Sequence, residues 1–183
     1  KVPTTLISMI DSALGGKTAI DTHQGKNLIG AYCQPTAVNS DIGCLKTLPQ
    51  HHLINGLCEA LKIFLIQDIE GLHHLERHLN AILMREEAAL MVLIRRAVQL
   101  KADIVRRDAR ECGQRVVLNF GHTIGHALEQ LTGYTLLHGY AVALGLLVEA
   151  KISQVMGLLA AQAYQDLKAF LLRLNISSQA LKA

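Results

Sequence analysis

Residues 49–66 read Pro-Gln-His-His-Leu-Ile-Asn-Gly-Leu-Cys-Glu-Ala-Leu-Lys-Ile-Phe-Leu-Ile. Proline suits a first helical turn and few breakers follow it, so the stretch predicts a helix over 50–66. Leu53, Ile54, Leu57, Cys58, Leu61, Phe64 and Leu65 make most of its circumference apolar, while Asn55, Glu59 and Lys62 recur at steps of four and three as one narrow polar stripe. A helix apolar nearly all round is a buried helix. A carboxylate and an ammonium inside it must be paired or serve a ligand, because isolated buried charges are strongly disfavoured. The plainer alternative is an i,i+3 ion pair on a surface.

Downstream of this helix the apolar periodicity predicts further helices over 69–82, 86–110, 121–132, 138–156 and 160–174. Upstream the pattern changes: glycines, two of the three prolines and the short β-prone runs 17–20 and 28–32 read as strands and loops. The first ten residues read as a strand running into a turn, with nothing before it to pair with, so the chain reads as a piece of a longer protein. The expectation is an α+β chain with a boundary near residue 46, strands and loops over 1–45 and helices over 46–183.

The composition narrows the function. The chain has 183 residues, half of them apolar, which is enough to bury a core. A net charge of +3 without a basic run, and the absence of tryptophan, leave neither an electrostatic footprint nor a stacking platform for nucleic acid. The longest apolar run, 141–148, is far too short to span a membrane. Cys33, Cys44, Cys58 and Cys112 form no CxxC pair, and reduced thiols in a cytoplasm are the expectation.

The polar residues that break the pattern are the candidates for chemistry. Lys101 falls on the apolar face formed by Leu90, Ile94, Ala97, Ile104 and Val105, where it either points inward or snorkels from the edge. Gly121-His122-Thr-Ile-Gly125-His126 sets two imidazoles on one side of a helix, near enough to share a metal or a substrate. Thr123 stands where the metalloprotease HExxH motif carries its glutamate, which disfavours peptide hydrolysis. His138 and Glu59 are further candidate ligands, and together the set suits zinc with an open position; His-x3-His alone is more often structural than metal-binding. Lys17, Lys26 and Arg115 complete five cations with Lys62 and Lys101. Gly15-Gly16-Lys17-Thr18 is no Walker A site, because Asp11 occupies the position of its first glycine.

Seven segments, in order, carry a resemblance: Pro3-Thr4-Thr5, Asp11-Ser-Ala-Leu-Gly-Gly-Lys17-Thr-Ala19, Gly25-Lys26-Asn27-Leu-Ile-Gly30, Leu45-Lys-Thr47-Leu-Pro49, Glu59-Ala-Leu-Lys62, Asn119-Phe-Gly-His122-Thr-Ile-Gly-His126-Ala127 and His138-Gly139. Together they resemble the 3-dehydroquinate synthase family of sugar-phosphate cyclases. The resemblance implies that 1–45 is the end of an α/β NAD-binding domain and 46–183 a helical zinc- and substrate-binding domain. It implies an NAD- and zinc-dependent lyase, with cobalt suited to the same ligands, that converts 3-deoxy-D-arabino-heptulosonate 7-phosphate into 3-dehydroquinate and phosphate. In that family transient oxidation of the C5 alcohol acidifies the neighbouring proton, phosphate leaves, and reduction, ring opening and an aldol closure follow. The setting implied is the shikimate pathway of aromatic amino acid biosynthesis, in a cytoplasmic homodimer.

By resemblance, Glu59, His122 and His138 are the metal ligands. Lys17, Lys62, Lys101, Arg115, Asn119 and His126 are catalytic or grip the substrate's anionic groups, Asp11, Lys26 and Asn27 line the same pocket, and Thr4, Thr5 and Thr47 join Asp11, Lys17 and Lys26 along the cofactor. Three departures stand out: no Gly-rich dinucleotide turn precedes Pro3, no Asp-Lys-Lys element follows, and Tyr140 replaces a usual glutamate. The chain in isolation is therefore expected to turn over little or nothing. Competing readings are another cyclase such as 2-deoxy-scyllo-inosose or valiolone synthase, a metal-dependent alcohol dehydrogenase, and a non-catalytic helical assembly domain.

Overall fold

The computed structural model describes residues 1–23 and 25–176, except for the side chains at 21 and 25–27. The quoted stretch forms α1 (Gln50–Gln67), and its middle is enclosed on every side, from Asn55 to Phe64. The polar stripe lies inside the protein, with Asn55 5%, Glu59 0% and Lys62 2% exposed. Around it stand α2 (Ile69–Arg77), α3 (Leu79–Leu83), α4 (Glu87–Arg107), α5 (His122–Leu131), α6 (His138–Val155) and α7 (Ala161–Arg173). α1 packs against α6, α2 and α4, while α6 also carries α5 and α7. Leu57, Leu61 and Phe64 of α1 share one core with Leu75, Ile82, Leu90, Leu93, Val142, Leu146 and Phe170. Among the described residues, no helix is long and apolar enough to cross a membrane.

The helix expected over 69–82 is broken for one residue at His78, whose φ of −104° and ψ of 16° leave the helical region. Leu75, Leu79 and Ile82 stay buried on both sides of the break, so the apolar period gives no sign of it. The expected strand at the start of the chain is corrected. Ser8–Ser12 is a π-helical turn, and Leu6, Met9, Ile10 and Ala13 are buried at helical spacing. Thr5 and Ser8 cap it reciprocally: the Ser8 N–H donates to Thr5 Oγ1 at 3.3 Å and the Thr5 N–H to Ser8 Oγ at 3.2 Å. A run this short does not let period 2 be told from period 3.6.

The two β-prone runs form β1 (Lys17–Thr22) and β2 (Gly25–Tyr32), an antiparallel hairpin with Lys17 opposite Tyr32 and Ile20 opposite Ile29. It is the only sheet among the described residues. Ile20, Leu28 and Ile29 on it are exposed.

Two contacts fix the helices that matter most for the site. α5 and α6 cross with almost no side chain between them, for a Cβ on Gly145 would lie 2.0 Å from the Gly121 carbonyl oxygen. At the other end of α1, Arg96 on α4 grips the Asp68 carboxylate with two hydrogen bonds, Nε to Oδ2 at 2.5 Å and Nη2 to Oδ1 at 2.7 Å. Those bonds hold the Asp68 carboxyl below its usual range despite partial burial.

Gly145→Ala must therefore part α5 from α6, and urea denaturation is expected to show a loss of about 1–3 kcal/mol, the cost of overpacking. Asp68→Asn is expected to cost about 0.5–1 kcal/mol at neutral pH, since Arg96 is partly exposed and screened. Because the folded state lowers this carboxyl's pKa, its contribution is present above the unfolded value near 4 and disappears as pH falls through the folded one. The gap between wild type and Asp68→Asn should close on acidification; a gap that widens would contradict the assignment.

Candidate active site

α5 starts on Gly121, which sits in the left-handed region at φ 79° and gives its N–H to Glu149 Oε2 of α6 at 2.8 Å. His122 is the first helical residue, with its Nδ1 3.2 Å from the Phe120 carbonyl oxygen. A carbonyl only accepts, so in the neutral ring Nδ1 carries the hydrogen and Nε2 presents a lone pair. Burial and the nearby Lys62 charge push the His122 pKa down to about 4, which keeps the ring neutral at physiological pH. His126 follows one turn later, its ring 5.2 Å from that of His122.

α6 starts on His138 and is docked through its second residue. Gly139 N–H donates to Asn55 Oδ1 at 2.7 Å, and a Cβ on Gly139 would lie 2.0 Å from the Asn55 carbonyl oxygen. The first polar residue of the α1 stripe thus seats His138 one turn from Glu59. The His138 ring lies 5.2 Å from His122 and 5.9 Å from His126. Its Nε2 is 3.7 Å from Glu59 Oε1, and its Nδ1 is 3.1 Å from Glu129 Oε2.

Glu59 is wholly enclosed. Its Oε2 lies 2.7 Å from Lys62 Nζ, so the i,i+3 pair of the plainer sequence reading exists but inside the core. The ammonium is in charge contact yet outside hydrogen-bond geometry, and neither Glu59 oxygen has a hydrogen-bond partner. Ligand atoms of Glu59, His122 and His138 lie within 4.8 Å of one another, as do those of His126, Glu129 and His138. A dry carboxylate without hydrogen bonds, facing two imidazoles, is a donor set that fits zinc or cobalt.

Beside this cluster is a cleft of about 600 Å³, lined by Asp11, Lys17, Lys62, Lys101, Glu111, Arg115, Asn119 and the three histidines, among others. Lys101 points inward, 5% exposed, and donates to Asp11 Oδ1 at 2.5 Å and to the Asp11 carbonyl at 2.7 Å. Burial pushes the Lys101 pKa down against the pull of Asp11. Burial also pushes the Asp11 carboxyl up, but the charges of Lys101 and Lys62 outweigh it and hold the carboxyl well below the usual range. Arg115, 3% exposed, donates through one nitrogen to the carbonyls of Gly15 and Ala109, each at 3.0 Å. Lys17 pairs with Glu111, which also accepts from Asn119 Nδ2 at 2.8 Å.

The fold thus gathers Asp11, Lys17, Lys62, Lys101, Arg115, Asn119, His122, His126 and His138 around one cleft, with Glu59 behind it. Thr4, Thr5 and Thr47 do not line it; the Thr5 hydroxyl lies 2.8 Å from Ser8 Oγ. The Lys26 and Asn27 side chains lie outside the described residues. Tyr140 does not line the cleft either and packs half-buried against the core. Three acids escaped the sequence reading. Glu129 lies three residues after His126 on the same helix face, and Glu149 lies three turns after His138, so spacing could have found both. Glu111 sits outside any regular element at φ 59°, where no periodicity could reveal it.

Comparisons with known proteins identify the family. Residues 1–55 match a family model described as 3-dehydroquinate synthase N-terminal, and residues 56–182 one described as 3-dehydroquinate synthase C-terminal. A 3-dehydroquinate synthase of Thermodesulfovibrio yellowstonii is 42% identical over 92% of the chain, which spans 47% of that protein's length. Among solved structures, a 2-epi-5-epi-valiolone synthase from Streptomyces hygroscopicus with NAD+ and Zn2+ bound matches with a TM-score of 0.90 and 31% identity. That match covers 96% of this chain and 49% of the other. A 2-deoxy-scyllo-inosose synthase complexed with carbaglucose-6-phosphate, NAD+ and Co2+ matches with a TM-score of 0.86 and 31% identity, over 93% of this chain and 46% of the other. The chain belongs to the 3-dehydroquinate synthase family.

Proposed function

We propose that this chain is the metal- and substrate-holding part of a 3-dehydroquinate synthase, which converts 3-deoxy-D-arabino-heptulosonate 7-phosphate into 3-dehydroquinate and phosphate. The observation that carries the reading is the dry, hydrogen-bond-free Glu59 carboxylate beside His122 and His138, opening onto a cleft lined by Lys62, Lys101 and Arg115. The Thermodesulfovibrio relative supports the substrate, and the bound groups of the two solved neighbours support NAD with zinc or cobalt. The same reading carries the cytoplasmic homodimer and the place in aromatic amino acid biosynthesis.

Glu59, His122 and His138 would hold the metal. When bound, the cation supplies Lewis acidity at a substrate oxygen and the dinucleotide a reversible hydride acceptor. The chain's own residues do the rest. Lys62 and Lys101, held in place by Glu59 and Asp11, offer ammonium groups to the substrate carboxylate and hydroxyls. Arg115 and Lys17 lie on the same cleft for the phosphate, with Asn119 tied to Lys17 through Glu111. His126, exposed at the cleft, would contact the substrate or its phosphate. Thr4, Thr5, Thr47, Lys26 and Asn27 remain proposed cofactor or substrate contacts. A second reading, an inosose or valiolone synthase, is favoured by the two solved neighbours and differs in which sugar phosphate fits the cleft.

Elemental analysis after dialysis should find close to one zinc per chain in the wild type and almost none in His122→Ala. Near-zero metal in both would support the helical assembly domain instead. With zinc loaded, calorimetry is expected to show heptulosonate 7-phosphate binding at least about tenfold more tightly than glucose 6-phosphate, roughly 1.4 kcal/mol. The opposite preference would move the assignment to an inosose synthase.

A further inference from the structure

We propose that Glu129 is the positioning residue that turns His138 toward the metal site, an inference that rests on Glu59, His122 and His138 holding a cation. His138 stands between two buried carboxylates from different helices. Its Nε2 faces Glu59 of α1 at 3.7 Å and its Nδ1 faces Glu129 of α5 at 3.1 Å. Glu129 is 4% exposed, although it sits on a helix whose outer face is open to water.

A neutral imidazole has one donor and one acceptor nitrogen. A carboxylate opposite Nδ1 puts the hydrogen there and leaves the Nε2 lone pair aimed at Glu59 and His122. His122 receives the same treatment from the Phe120 carbonyl at 3.2 Å, so both rings present Nε2 and both have Nδ1 occupied by an acceptor. The two acceptors differ in one respect. Phe120 is backbone and fixed by the chain, whereas Glu129 is a side chain that a substitution can remove. A metal-binding histidine oriented by a carboxylate on its other nitrogen is a recurrent arrangement, and loss of that carboxylate weakens metal binding about 10- to 100-fold.

The other role open to Glu129 is that of a ligand, since His126, Glu129 and His138 also cluster within 4.8 Å. That role would require Glu129 to coordinate the cation and His126 to join it. The positioning role needs neither, and it leaves His126 free at the cleft for substrate.

The test is zinc affinity by competition with a chromogenic chelator in wild type, Glu129→Gln, Glu129→Ala and His126→Ala, each checked for folding by urea denaturation of the metal-free protein. Glu129→Gln, which keeps the side chain's shape, is expected to bind zinc about 10- to 100-fold more weakly with little change in metal-free stability, and His126→Ala about as tightly as wild type. Glu129 variants that retain wild-type affinity, or a His126→Ala as weak as they are, would overturn the positioning role. A second measurement does not need the metal. Nitrogen-15 spectra of the imidazoles, taken above their titration range, should show His138 as the Nδ1–H form in wild type and not in Glu129→Ala; the same form in both overturns the inference. If wild type takes up no zinc, the functional reading fails, and these spectra still decide whether Glu129 orients His138.

Discussion

The Glu59 carboxylate is the constraint to which the rest of the structure answers. A negative group shut off from water and lacking hydrogen bonds is strongly unfavourable unless positive charge stands beside it. Lys62, one helical turn on, supplies part of that charge at 2.7 Å. The two imidazoles on the other side make the remaining space one in which a divalent cation would have three donors. Removing either partner of a buried pair of this kind typically costs about 3–5 kcal/mol, so Glu59 and Lys62 are bound to each other's presence.

The helices are brought to this point by contacts that leave little room for adjustment. Gly139 lets α6 begin directly on the Asn55 backbone, and Gly145 lets it continue directly over Gly121. Asn55 and Glu149 then satisfy the N–H groups of Gly139 and Gly121, next to His138 and His122. Backbone-to-backbone approach and a side-chain oxygen at each helix start place each imidazole without relying on the flexibility of the histidine itself. Around the cleft the cations are likewise positioned by acids and carbonyls, Lys101 by Asp11, Lys17 by Glu111, and Arg115 by Gly15 and Ala109.

Much of this was legible in the sequence, and the reasons for the rest are physical. The apolar circumference of α1 announced a buried helix, whereas Lys101 on an apolar face left an inward and a snorkelling lysine equally open, because burying charge demands a partner that the pattern can only imply. The apolar period located α4 to α7 to within three residues at each end. The π turn at Ser8–Ser12 was read as a strand because four apolar residues do not fix a period. The break at His78 was invisible because the buried stripe runs across it. Glu129 stands at a spacing the sequence does show, on a helix face read only for its histidines, whereas Glu111 lies outside any regular element and pairs with Lys17 far away in sequence, and tertiary pairing of that kind leaves no local trace.

The central claim, that Glu59, His122 and His138 share one cation, is tested most directly by anomalous diffraction at the zinc edge from crystals grown with zinc. A single anomalous peak bonded at about 2.0–2.2 Å to a Glu59 oxygen and to Nε2 of both His122 and His138 is the predicted result. A map with no peak there, or with zinc held by other residues while Glu59 pairs with Lys62 alone, would contradict it.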